Sequence, residues 1–112
     1  MTTAVNKKTL EQYRQIFGTE KMKNLWNEFQ DTTEEKFEKA MNGNLEDIRL
    51  CFHSLRSAAL VFGLEKFAEN CEQIENNIIA GASSSEIKKA VDKSKEFYYN
   101  ARGKVIKIFE DL

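Results

Sequence analysis

The sequence predicts an all-α fold, an up-down-up-down antiparallel four-helix bundle with a short extra N-terminal helix, and three observations carry that expectation. Proline, which breaks helix interiors, is absent, and only five glycines interrupt 112 residues. Between the glycines, apolar residues recur at steps of three and four, the period of one helix face. The resulting segments are joined by very short connections, which is how antiparallel neighbours in a bundle are joined.

The elements follow in order. A short helix around Lys8 to Phe17 is placed to cover one end of the bundle. Between Thr19 and Asn42, the residues Met22, Leu25, Trp26, Phe29, Phe37, Ala40 and Met41 form a stripe whose gap is filled by Thr33. After Asn42-Gly43, Asn44 caps the next helix and Asp47 places negative charge in its first turn, where the helix dipole favours it. Its stripe is Leu45, Ile48, Phe52, Leu55, Ala59 and Phe62, ended by Gly63. Leu64, Phe67, Cys71, Ile74 and Ile78 form a third stripe, ended by Gly81. Ser83 and Glu86 make a capping box before a last stripe from Ile87 to Ile108, in which Gly103 is a point of kinking or fraying. The four main helices are expected at about 17 to 27 residues each, in one domain spanning 1–112.

Composition narrows the function. At 41% hydrophobic and 11% aromatic residues the chain is too apolar to be disordered. Seventeen basic and eighteen acidic side chains leave a net charge of −1, so no global field draws it to nucleic acid or an anionic membrane. Residues 1–10 lack the apolar core of a signal peptide, and no window approaches a membrane span. Cys51 and Cys71 fit neither a disulfide framework nor paired zinc half-sites, and are read as reduced, buried thiols. A cytoplasmic protein is expected. Cys51 and His53 stand two apart and point in different directions on a helix, so no metal site is expected. Trp26, Tyr98 and Tyr99 are read as packing residues, because no basic stripe accompanies them as a nucleic-acid platform would require.

The single histidine, His53, is the chemical feature. On a helical wheel the apolar stripe of its helix centres at about 300°, and His53, Arg56, Ser57 and Leu60 centre at about 70°, so the imidazole faces outward. By itself that placement describes an ordinary surface residue better than a reactive one.

The register around it says more. The chain reads His53-Ser54-Leu55-Arg56-Ser57-Ala58-Ala59, then Gly63-Leu64, Phe67, Cys71, Ile74 and Glu75. This pattern resembles the histidine-containing phosphotransfer (HPt) domains of two-component phosphorelays. Ile16-Phe17-Gly18-Thr19-Glu20 and Asn42-Gly43-Asn44 add to the likeness, which spans about Leu10 to Gly81, the last helix matching only in length and period. Arg56 stands where the family usually has Lys, and Ser57 where it usually has Gly.

The resemblance implies a phosphoryl carrier without turnover of its own, in which His53 is the phosphorylated nucleophile. Arg56 would stabilise the phosphoryl group, Ser57 would act as a donor or a steric modulator, and Glu75 would orient the imidazole. Arg56, Ser57 and Leu60 would bind the partner, the receiver domain of a response regulator or hybrid histidine kinase. That receiver would bring the Mg²⁺, this chain having no cofactor of its own, and the carrier would be a monomer. The residues allow other roles: a surface ion pair of Arg56 with Glu72 or Glu75, a solvated Glu75, a core-edge Leu60. An HPt-like adaptor that is never phosphorylated, and a helical adaptor outside phosphorelays, are the alternative functions.

Overall fold

Three of the helices begin at a side chain that accepts from otherwise unpaired amides. The computed structural model describes residues 2–112, and among these the regular structure is five α-helices: α1 (Lys7–Phe17), α2 (Thr19–Asn42), α3 (Leu45–Val61), α4 (Glu65–Ile79) and α5 (Ser84–Glu110). Asn6 caps α1 by accepting from the amides of Lys8 and Thr9, Asn44 caps α3 from Asp47, and Ser83 caps α5 from Glu86. The capping residues predicted for α3 and α5 therefore serve as expected.

The helices pack in chain order, α2 on α3, α3 on α4, α4 on α5, and α5 returns to α2, while α1 lies on α2 and α3. The 27 residues of α5 run about 40 Å at 1.5 Å per residue, close to the 43 Å long dimension of the molecule. Inside the ring is an aromatic core: Tyr98 of α5 meets Phe29 and Phe37 of α2 and Phe67 of α4, and Trp26 meets Phe62 edge-on at 5.1 Å. Trp26 and Tyr98 are buried; Tyr99 is exposed and donates to the Glu34 carboxylate at 2.9 Å. Thr33 fills the gap in the α2 stripe because its hydroxyl, buried with it, donates back to the Phe29 carbonyl at 2.7 Å.

Two details differ from the sequence expectation. At 15 residues α4 is shorter than anticipated, because the chain turns out at Ala80, with Gly81 at φ +92° and the Ala82 amide donating to the Asn77 carbonyl. Gly103 neither ends nor frays α5: it lies on the exposed face, seven residues before the helix stops at Glu110.

The turn from α3 to α4 is held from outside by the N-terminal segment. The Asn6 amide donates to the Gly63 carbonyl at 2.7 Å and the Lys66 amide to the Thr3 carbonyl at 3.1 Å. Gly63 has φ +72°, and a Cβ there would sit 2.5 Å from the Asn6 carbonyl oxygen, so both conformation and close approach demand glycine. Side chains of Asn6 and Thr3 donate to Glu65 and hold its carboxyl below the usual range. Both cysteines are free and buried. Among the described residues no helix is long and apolar enough to cross a membrane.

Candidate functional site

The site is built on the middle of α3. Ile48, Phe52, Leu55 and Ala59 face inward, which turns His53 to the opposite side, where 63% of its side chain is exposed. The predicted outward ring is thus observed, and its position is set by the core stripe rather than by any contact of its own.

The neighbouring helix supplies the contact. Nδ1 of His53 lies 3.1 Å from Oε1 and 3.0 Å from Oε2 of Glu75 on α4. A carboxylate only accepts, so Nδ1 is the nitrogen that donates to it, and in the neutral ring Nε2 is the one with a free lone pair. Glu75 is not the solvated carboxylate that the sequence equally allowed, since only 14% of its side chain is exposed. Arg49, one turn before His53, shares it: Nη1 is 3.3 Å from Oε2 of Glu75, while Nε is 3.0 Å from Oε2 of Glu46. The Arg49 hydrogen bond holds the Glu46 carboxyl below its usual range, and Glu46 raises Arg49.

Arg56 stands at the other end of the ring's face. Its Nε lies 3.5 Å from Oε2 of Glu72, which is the surface pairing anticipated as its alternative role. Both partners are about half exposed, so the pair contributes little, about 0 to 1 kcal/mol, and is readily exchanged for another anion. Ser57 is exposed next to this cation, and Leu60 is 43% exposed rather than part of the core edge. His53, Arg56, Ser57 and Leu60 therefore share one face, with Glu75 reaching it from α4. Among the described residues no group of three or more His, Cys, Asp or Glu side chains is placed to hold a metal ion.

Two features escaped the sequence reading. One is Arg49, whose spacing of three from Glu46 and four from His53 was the available signal. The other is an apolar cleft of about 350 Å³ between α2 and α3, walled by Leu25, Phe29 and Thr32 on one side and Ser54, Ala58 and Val61 on the other. Ser54 and Ala58 follow His53 and Ser57 in sequence, so the cleft opens along the flank of the histidine face that points away from α4.

The described residues thus form an α-helical ring with an outward histidine at mid-helix, bonded to a carboxylate of the next helix. The family model for the Hpt domain matches residues 24–97, about two thirds of the chain, from α2 through His53 into α5. The chain belongs to the Hpt-domain family, whose members take part in histidine phosphotransfer in phosphorelays as phosphocarriers that meet receiver domains and kinases. The match begins inside α2 rather than near Leu10, and it extends into the last helix, where the sequence offered only length and period. No curated protein and no solved structure matches the chain significantly.

Proposed function

We propose that this chain is a phosphorelay carrier that takes a phosphoryl group on His53 from a receiver phospho-aspartate, or from a kinase, and passes it to another receiver aspartate. The observation that carries this reading is the bond from Nδ1 of His53 to Glu75, which leaves Nε2 as the free nucleophile on an exposed ring. The Nε2 lone pair attacks phosphorus, the bond from phosphorus to the aspartate oxygen breaks, and the electron pair leaves with the aspartate carboxylate. The proton stays on Nδ1, and Glu75 offsets the charge that the phosphorylated ring gains. Arg56 exchanges Glu72 for the phosphoryl oxygens, and Ser57 donates to them or narrows the approach. Transfer to the next aspartate is the same step reversed.

The ring of packed helices and the short connections support an antiparallel up-down-up-down order for α2 to α5, in one domain spanning 1–112. The reading is completed by a cytoplasmic monomer whose partner brings the Mg²⁺. That partner docks on Arg56, Ser57, Leu60 and the cleft beside them, an exposed polar centre with an apolar rim. Ser57 favours a second reading, an adaptor that binds a receiver without being phosphorylated, because it puts an exposed side chain one helical turn from His53, where the family usually has glycine.

Incubation with a phosphorylated receiver and Mg²⁺ separates the two. Acid-labile label on the wild type and none on His53→Gln is the expected result. Binding of the receiver with no label on either protein sinks the carrier and leaves the adaptor.

A further inference from the structure

We infer that Arg49 is a positioning residue for His53: it anchors the Glu75 carboxylate and, through it, fixes the imidazole with Nε2 as the nucleophilic nitrogen. The use of that nitrogen rests on the carrier reading above; the positioning itself does not.

Three observations lead there. Glu75 is partly buried, with 14% of its side chain exposed, and a carboxylate drawn out of water is better tolerated beside a countercharge. An imidazole supplies no permanent countercharge, whereas a guanidinium is always charged. Among the described residues Arg49 is the one Lys or Arg within ion-pair distance of Glu75, at 3.3 Å, so it supplies the charge that makes the position tenable.

Arg49 is also held. Its Nε and Nη2 both bond Glu46 one turn earlier, a two-pronged contact that fixes the guanidinium plane and leaves Nη1 aimed at Glu75. The chain of contacts Glu46, Arg49, Glu75, His53 thus runs from the first turn of α3, across to α4 and back to mid-α3.

The two arginines flanking the ring are therefore unlike. Arg56 has one long contact to an exposed glutamate and is free to meet an incoming phosphoryl group. Arg49, engaged by two carboxylates and 27% exposed, acts on the ring only through Glu75.

Because the chain has one histidine, the ring nitrogens give a single pair of ¹⁵N resonances, whose shifts report which nitrogen is protonated. Wild type is expected to show protonated Nδ1 and bare Nε2. In Arg49→Gln the pattern moves toward the tautomer mixture of a free imidazole and transfer from a phosphorylated receiver slows about 10-fold, while Arg49→Lys recovers most of both.

Glu75→Gln removes the partly buried charge, so it provides a background in which Arg49→Gln can be read without a folding defect. If Arg49 works through Glu75, adding Arg49→Gln there changes neither the nitrogen shifts nor the rate further. Additive losses in the double variant, or a wild-type nitrogen pattern in folded Arg49→Gln, overturn the inference. The nitrogen shifts need no phosphorylation, so their change in a protein that never takes label refutes the carrier while supporting Arg49. Label on wild type with unmoved shifts does the reverse.

Discussion

The two flanks of α3 are built differently. Toward α4 the helix packs more extensively than any other pair in the molecule: Phe67, Cys71 and Ile74 of α4 are buried, and Arg49 and His53 of α3 meet Glu75 at the rim. Toward α2 the wall includes the small side chains of Ser54 and Ala58, which do not reach across, and a cleft of about 350 Å³ stays open. A nucleophile has to be fixed on one side and approachable on the other. One helix serves both ends because Arg49 and His53 lean to the α4 side while Ser54 and Ala58 leave space on the α2 side.

The largest effect expected from this asymmetry is on stability. Ile74→Ala empties a filled site on the packed flank and should cost about 2–5 kcal/mol, while Leu25→Ala on the half-buried wall of the cleft should cost less than about half as much. Urea midpoints at constant slope measure both. Equal losses would break the comparison, since they would mean that the α2 flank is as tightly filled as the other.

Filling the open flank should act on binding instead. Ala58→Lys places a long charged side chain in the cleft, and affinity for a receiver domain is expected to fall about 10-fold, or about 1.4 kcal/mol, with little change in unfolding. Calorimetric titration decides this, and an unchanged affinity would remove the cleft from the docking surface. Ser57→Gly tests the boundary between the flanks with opposite signs: faster transfer, because bulk one turn from the ring is gone, and a stability loss of about 0.5 kcal/mol from glycine in place of serine inside a helix. Stopped-flow transfer beside thermal unfolding reads the two; slower transfer would assign the hydroxyl a donor role.

The asymmetry also explains what the sequence could disclose. Periodicity sorts a helix into an inside and an outside, so the α3 stripe and the outward His53 were legible, as was Thr33 within a stripe it seemed to interrupt, its hydroxyl needing only the carbonyl four residues back. The bond between His53 and Glu75 came from family register, which carries information across two helices that periodicity lacks. Arg49 had no such help: its pairing with Glu46 is local, but its reach to Glu75 depends on how α3 and α4 align. The contacts of Thr3 and Asn6 with Glu65 bridge about sixty residues by polar groups, where no hydrophobic pattern exists to announce them. The cleft is an absence of side-chain volume, and only the packed structure reveals it.

The two thiols extend the same contrast at the smallest scale. Cys51 lies on α3 beside Leu50 and Ser54 along the α2 groove and keeps 9% of its surface exposed; Cys71 lies on α4 with none. Burial pushes the Cys71 thiol well above its ordinary range, so in the folded chain it stays protonated and inaccessible to a thiolate-specific reagent. Cys51 should therefore label first in native protein, and Cys71 only at the rate of unfolding, as mass spectrometry of single-cysteine variants would show. The sign for stability follows. With the folded thiol raised above an unfolded value of about 8.5, its contribution is intact below that pH and is lost as the unfolded chain ionises above it, by about 0.8 kcal/mol at pH 9. The unfolding free energy of reduced protein, from denaturant midpoints at constant slope, should be lower by that amount at pH 9 than at pH 7.5, and Cys71→Ala should flatten the dependence. A dependence unchanged in Cys71→Ala would mean that this thiol is not sealed into the packed flank.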